Sequence, residues 1–313
     1  MRSPALLMLS LALLVLAGCV TDCHSRPPAV RGIPVDDASA PVSAVWIGHA
    51  TVLFRLGEHQ IVADANFSSR QFVYPRITAP SVRPEELPPV DFALVSHLHN
   101  DHFDVNALRA LKNSPTIVFP RGAAGYTRGV PGTPLFLEAW EATERDGVKV
   151  TAVPARHTGG RYFFDGYWNR AFTGFVVEAA GHAAYFAGDT GYDPDLFKEI
   201  GKRFPRIDIA FVPIAPARGG NTSHASPAEA VQILQDLGAR FLVPIHYEAF
   251  YSSVVPYDEP RTKLAEAAAK AGVSDRVWAL HTGERILIPD VGVPQVTRTL
   301  PPRRQNVALE STP

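Results

Sequence analysis

The sequence predicts an α/β protein in which two sheets pack face to face with helices outside. Three observations carry this. Strand-like segments come in two runs, each followed by segments of helical spacing, unlike simple βαβ alternation. The apolar run Asp91-Phe92-Ala93-Leu94-Val95 reads as a buried strand, and it delivers a histidine-rich loop followed by helical spacing with Leu108 and Leu111 on one face. The length, 313 residues, suits one large domain or two small ones and is ample for a substantial core.

The chain opens with Arg2, an apolar run from Ala5 to Ala17, and the ending Leu16-Ala17-Gly18-Cys19. A positive start and a short apolar stretch ending in small residues form a secretory signal, here residues 1–18. The run is short for a bilayer span. Its ending resembles a bacterial lipobox, which implies a lipid on Cys19 as the first residue of the mature protein. Val20 follows, with no aspartate to mark inner-membrane retention. The expectation is a lipid-anchored protein of the bacterial cell envelope, at the outer membrane facing the periplasm. An ordinary cleaved signal with an incidental cysteine is the alternative. With Cys19 lipidated, Cys23 has no partner, so no disulfide staples the fold.

Residues 19–42, rich in Pro, Ala and Asp, read as a tether. The domain, 43–290, starts with strands at Val42–Ile47, Thr51–Leu56 and Gln60–Asp64, a β-meander turned at Gly48-His49-Ala50 and Gly57-Glu58. Asn66 to Pro89 reads as a long loop over the active-site face. Further strands are expected at 116–119, Val148–Val153, Ile207–Ile214, Phe241–Ile245 and Arg285–Ile288, with a hairpin of Phe172–Ala179 and His182–Ala187 turned at Ala180-Gly181. Gly122 to Gly132 reads as flexible. Ser226 to Leu237 is a helix by its serine cap, Pro227 at the first position and Glu229 three residues on. Another helix is expected over Pro260–Ala271, and 291–313 as a mobile tail. The formal net charge of −1 gives no electrostatic reason to expect nucleic acid.

His97, His99, Asp101 and His102 fall within six positions at the end of the Asp91–Val95 strand, where open α/β sheets place their chemistry. On extended chain His97 and His99 point the same way and can share one metal ion. Asp101 and His102 follow the turn and face a second position. Imidazole suits zinc, and carboxylate accepts zinc, iron or manganese. No cysteine lies near this stretch, so the donors are nitrogen and oxygen.

His97-x-His99-x-Asp101-His102 resembles the signature of the metallo-β-lactamase superfamily. Four stretches, Trp46-Ile47-Gly48-His49-Ala50-Thr51, Leu87-Pro88-Pro89-Val90-Asp91, Phe186-Ala187-Gly188-Asp189-Thr190-Gly191-Tyr192 and Pro244-Ile245-His246, look like one branch. That branch holds hydrolases similar to N-acyl-phosphatidylethanolamine-hydrolysing phospholipase D and ascorbate-6-phosphate lactonase. The resemblance covers roughly residues 43 to 288 and implies the four-layered αβ/βα sandwich. His157, Asp189 and His246 each follow a predicted strand. By resemblance, His157 joins His97 and His99 on one ion, Asp189 bridges two ions, and His246 joins Asp101 and His102 on the other. Two divalent ions, zinc foremost, are thus expected. They would activate a water for attack on a phosphodiester, lactone or other ester.

In the phospholipase-D-like branch a histidine before a Pro-x-Glu-Ala helix start borders the substrate. That resemblance makes His224 a candidate proton donor or phosphate or carbonyl contact, outside the ligand count, with Asp101 as the second catalytic candidate. His49 is placed beside the metal pocket by resemblance, His281 is read as structural, and His24, His59 and His182 as solvent-exposed. Arg161, Tyr162, Tyr167, Trp168 and Arg170 are expected on a loop by the pocket. Thr158 and Tyr247 stand where relatives often have tryptophan. Ala215-Pro216-Ala217-Arg218-Gly219-Gly220 is small and polar where the phospholipase is bulky, and Ala63-Asp64-Ala65-Asn66 replaces a commoner Thr-Asp-Pro. These departures count against an N-acyl phospholipid substrate and leave the metal chemistry intact. The alternatives are a β-lactamase-like amide hydrolase, a diiron oxidoreductase, which usually carries a flavin domain, and a non-catalytic metal-binding envelope lipoprotein. Small-molecule or lipid-like esters and, through Cys19, a membrane are the expected partners.

Overall fold

The computed structural model describes residues 26–162, 165–166, 169–216, 223–251 and 256–301. The signal segment, Cys19, Cys23, His24, Tyr167, Trp168 and the Arg218-Gly219-Gly220 stretch lie outside the described residues.

β1 (Val42–Gly48), β2 (Thr51–Leu56) and β3 (His59–Ala63) form the expected antiparallel meander. Every residue of β1 and β2 is buried, because this sheet is covered on both faces. Trp46, Phe54 and Ile61 face the space between the sheets, while Val45, Ile47, Leu53 and Val62 face an outer layer. Beyond β3 come the short pair β4 (Arg70–Gln71) and β5 (Tyr74–Pro75), then β6 (Phe92–Leu94), parallel to β3. α1 (Val105–Ala110) begins at Asp104, whose carboxylate accepts from the N–H groups of Asn106 and Ala107 at 3.0 and 3.2 Å. β7 (Thr116–Pro120) and β8 (Leu135–Leu137) continue the sheet in parallel.

The second sheet starts at β9 (Ala142–Arg145) and runs through β10 (Val148–Val153), β11 (Gly174–Ala179) and β12 (His182–Phe186), all antiparallel. After α2 (Pro194–Arg203), β13 (Ile209–Pro213) joins in parallel. After α3 (Pro227–Asp236), β14 (Phe241–Ile245) does the same. α4 (Glu259–Ala271) leads back to β15 (Arg285–Ile288) on the first sheet, and β16 (Gln295–Thr297) pairs outside it. The sheet orders are β16-β15-β1-β2-β3-β6-β7-β8 and β14-β13-β12-β11-β10-β9. The main core fills the gap between them, where Phe54 meets Phe211 with ring centroids 5.4 Å apart. The architecture is the expected sandwich of two sheets with helices. Among the described residues no helix is long and apolar enough to cross a membrane.

Several segments differ from the sequence reading. The expected loop 66–89 contains the β4–β5 pair and a 3-10 turn at Pro84–Glu86. Arg121–Tyr126, inside the stretch read as flexible, is a 3-10 helix. α2 is an additional helix, with the capping carboxylate of Asp193 before it and only Phe197 and Ile200 buried along its length. The start of the expected tail is tied down, since β16 pairs with β15 and Arg298 contacts Glu284.

Residues 26–41, read as tether, lie against the domain. Val30 is buried, and Arg26 pairs with Ile77 and Thr78. Asp36 fastens the segment. Its carboxylate accepts from Arg55 Nε at 2.9 Å and from Ser43 Oγ at 3.0 Å, and it lies 2.6 Å from Arg285 Nη1. Both arginines are buried. Burial opposes the charge on Asp36, but Arg55 and Arg285 outweigh it and hold the carboxyl below its ordinary 3.8. Because the folded value is depressed, this stabilisation is present above about pH 4 and is lost as pH falls through the folded value. Asp36→Ala, which strands two buried guanidinium groups, should cost about 3 kcal/mol. Urea unfolding at pH 7 should show it as a lowered midpoint, and the gap from the parent protein should narrow below about pH 4.

Candidate metal centre

The two sheets bring their carboxyl-terminal strand ends to the same edge. From the first sheet come the His97–His102 loop after β6 and Asp64 after the parallel neighbour β3. From the second come His157 after β10, Asp189 after β12 and His246 after β14. His49 enters from the β1–β2 turn. Three of these donors sit in the left-handed backbone region, His49 at φ 57°, Asp64 at 41° and His246 at 63°. Such conformations are costly for side-chain-bearing residues and persist where the surroundings fix them. Here the fixing is visible. The carbonyl of His49 accepts from Trp46 Nε1 at 2.8 Å and from the N–H of His246 at 3.0 Å, and Trp46 stacks on Tyr247 at 4.3 Å. Gly188 is needed for packing, because a Cβ there would sit 2.3 Å from that of Ser96. Its absence lets the Asp189 turn lie against the histidine loop.

The expected seven donors meet. His97, His99 and His157 form one group, and Asp101, His102 and His246 form another that also contains His49, with all donor atoms in each group within 4.8 Å of one another. Asp189 stands between them. Its Oδ2 is 3.8 and 3.9 Å from Nε2 of His97 and His157, and 3.2 Å from Nε2 of both His102 and His246.

The contacts behind the donors assign the imidazole protons. His102 Nδ1 faces Asp64 Oδ2 at 2.6 Å, His157 Nδ1 faces the Ser223 carbonyl at 2.9 Å, and His97 Nδ1 faces Ser96 Oγ at 2.9 Å. Ser96 Oγ gives its own proton to Asp64, so it accepts from His97. With Nδ1–H turned outward, each Nε2 points into the cluster. There His97 Nε2 and His157 Nε2 crowd His99 Nδ1 at 3.0 and 3.2 Å. Asp101 Oδ1, Asp189 Oδ1, His102 Nε2 and His246 Nε2 are buried without a hydrogen bond. The short approaches of the two imidazoles to Asp189 are not directed as hydrogen bonds. Converging nitrogens and orphaned carboxylate oxygens fit divalent cations, which satisfy lone pairs that no proton can bridge.

Electrostatics divides the cluster. Burial pushes His49 and His157 down to about 3, and burial together with neighbouring imidazoles drives His97 well down. For His246, burial opposes the charge, but Asp189 and Asp101 overcome it and raise the ring to about 9. Burial likewise opposes the charges of Asp101 and Asp189, yet His102 and its neighbours hold both carboxyls well below the ordinary range.

His224 comes closer than its exclusion from the ligand count suggests, with Nε2 3.0 Å from Asp189 Oδ2. His49 Nε2 contacts Asp101 Oδ2 at 3.0 Å. Arg161 Nη1 donates to the carbonyls of Leu98 and Phe103 at 3.1 and 2.9 Å, so it clamps the histidine loop. His281 is exposed and belongs to none of the donor groups. His182 is not solvent-exposed as expected. Its side chain is 9% exposed and faces Asp208 at 3.2 Å. The sequence reading noted the Asp64 stretch only as a departure from a commoner motif and gave no role to Asp64, Gln71 or Arg76. Asp64 accepts from Ser96 N, Ser96 Oγ and His102, and Gln71 Nε2 donates to Asp101 at 2.6 Å. Arg76 is buried and holds Ser68 and Asn66. An aspartate closing a strand parallel to the Asp91–Val95 strand was the available signal for Asp64.

A two-sheet sandwich with a buried His/Asp cluster at its strand ends is the architecture of a metallohydrolase. Residues 59–247 match the family described as Beta-lactamase superfamily domain. An N-acyl-phosphatidylethanolamine-hydrolyzing phospholipase D 1 of Caenorhabditis elegans is 33% identical over 261 residues, 76% of this chain and 73% of that protein. A UPF0173 metal-dependent hydrolase of Thermococcus onnurineus is 32% identical over 213 residues, 67% of this chain and 86% of that one. In fold, the isothiocyanate hydrolase from Delia radicum gut bacteria matches with a TM-score of 0.63 at 19% identity, covering 80% of this chain and 100% of that one. The chain belongs to the metallo-β-lactamase superfamily and is a metal-dependent hydrolase.

Asp64→Asn keeps an acceptor for Ser96 N–H but weakens the hold on His102. Metal affinity, measured by competition with a chromogenic chelator, should fall about ten- to a hundredfold with near-UV circular dichroism unchanged. Unchanged affinity would remove Asp64 from this role.

Proposed function

We propose that the protein hydrolyses a phosphodiester, lactone or other ester, foremost a lipid-like phosphodiester, with two divalent ions, zinc by the nature of the donors. The observation that carries this reading is the pair of donor groups with Asp189 Oδ2 between them. The phosphodiester class is supported by the name of the nematode relative. His97, His99 and His157 would hold one ion, Asp101, His102 and His246 the other, and Asp189 both. Bound ions lower the pKa of a water and polarise the ester oxygen. The residues of the chain supply the rest. Asp101 Oδ2, held by His49 and Gln71, faces Nε2 of His246 and His102 at 3.4 and 3.7 Å, and Oδ1, buried without a hydrogen bond, is left to orient a ligand. His224 Nε2, at the cluster's edge, carries the proton for the leaving oxygen.

Bis(p-nitrophenyl) phosphate turnover should vanish with a chelator and return with zinc, and purified protein should hold close to two ions. His224→Ala should retain both ions and lose roughly a hundred- to ten-thousandfold in kcat/KM on alkyl diesters, with a smaller loss on nitrophenyl esters. Loss of metal in step with activity would make His224 a ligand instead. Inactivity of the loaded protein on diesters, lactones and esters alike sinks the hydrolytic assignment, and faster turnover of nitrocefin than of any ester would favour the amide-hydrolase alternative.

We also infer a lipid anchor on Cys19 and an envelope location, from the Leu16-Ala17-Gly18-Cys19 ending. Mass spectrometry of protein from its native host should show a diacylglyceryl cysteine, and an unmodified terminus elsewhere refutes it.

A further inference from the structure

The β4–β5 hairpin stands at the mouth of the metal centre. On its inner side Gln71 reaches Asp101. Its outer end is apolar and open, with Phe72 63%, Val73 73% and Tyr74 43% exposed. Tyr251, 44% exposed, is held beside it by its N–H on the Pro75 carbonyl at 2.9 Å. Turn chemistry does not account for these side chains. Phe72 takes φ 51°, a conformation that a two-residue hairpin turn ordinarily gives to Gly, Asn or Asp. Arg70, exposed at the base of the hairpin, gives its flank one free-standing positive charge among the described residues, since Arg76 is buried against Ser68 and Asn66 and Arg83 pairs with Glu86. A contiguous apolar tip marks an interaction site rather than scattered surface hydrophobics.

The point where the amino-terminal chain enters indicates the partner. Arg26 is joined to the strand just past the hairpin. Its N–H bonds Ile77, its carbonyl accepts from Ala79 at 3.0 Å, and its guanidinium lies over the Tyr257 ring at 4.1 Å. Cys19 is seven positions earlier, at most about 25 Å of fully extended chain. A lipid on Cys19 would therefore hold the membrane within about 25 Å of Arg26 and so within reach of the hairpin.

We propose that the β4–β5 hairpin is a membrane-docking finger. It inserts Phe72, Val73 and Tyr74 into the bilayer that carries the anchor, with Tyr251 at the headgroup level, and lays the mouth of the metal centre on the lipid surface. A single acylated site anchors weakly without a second signal, and the apolar finger with Arg70 at its base supplies one. Aromatic side chains favour the membrane interface. The substrates then reach the site from the bilayer. That consequence rests on the ester-hydrolase reading; the docking itself rests on the Cys19 anchor and not on catalysis.

The test uses the full chain reconstituted in vesicles of phosphatidylglycerol and brominated phosphatidylcholine, with one tryptophan added at a time. Val73→Trp should lose about half or more of its added emission, as insertion roughly 5–10 Å into the headgroup boundary implies. Tyr74→Trp serves as a second probe. Val293→Trp, on the exposed apolar stretch near the carboxyl terminus, should be unquenched. Adding Phe72→Asp to Val73→Trp should abolish the quenching, while turnover of soluble bis(p-nitrophenyl) phosphate stays within about twofold, since neither side chain belongs to the metal centre. Quenching at 293 equal to or greater than at 73, or none at 73 and 74, overturns the proposal. Quenching needs no turnover, so failure of docking and failure of the hydrolase reading are seen separately.

Discussion

Asp64 has no solvent exposure, and its carboxylate accepts from Ser96 N, Ser96 Oγ and His102 Nδ1 at 2.7, 2.6 and 2.6 Å. A carboxylate is costly to bury unless its lone pairs are met, and this one is met by groups that hold the metal-binding loop. Ser96 in turn fixes His97, and His102 is turned by Asp64 directly. The carboxylate thus sets two ring orientations from the end of one strand. Because β3 and β6 run parallel, their ends coincide without any loop having to search for the other.

The opposite problem arises at the cluster's centre. There Asp101 and Asp189 are held ionised among imidazoles, some driven neutral by burial and two, His102 and His246, held charged by the carboxylates. Protons partly offset the carboxylates, but four buried polar atoms stay unmet. A cation requires deprotonated ligands, so its arrival displaces those protons, and binding weakens as solution acidifies. The arrangement is poor as a protein core and good as a ligand set. The backbone strain at His49, Asp64 and His246 belongs to the same bargain.

The parts of this site that were legible in the sequence are local ones. His97 to His102 lie within one loop after one apolar strand, and the capping box at Ser226 and Glu229 is complete within four residues. What escaped notice depends on pairing across the fold. Asp64 acquires its role only when β3 lies beside β6. Asp36 looked like part of a polar linker because Arg55 and Arg285, its partners, are distant in sequence. The edge strand β9 has mostly exposed residues and no alternation to read, and β16 exists because β15 offers it an edge. α2 was visible in principle through Asp193 and Pro194, but its two buried residues make a faint stripe.

The seven expected donors come from both halves of the sandwich, so no half can bind the ion well by itself. An ion held there closes a long chain loop and ties sheet to sheet at the edge opposite the strand starts. It acts as a clasp on the native state, worth about 4 kcal/mol when free metal exceeds its dissociation constant a thousandfold. The folded chain would therefore have its stability set partly by the metal available to it, and scarcity would be felt as unfolding before it was felt as slow turnover.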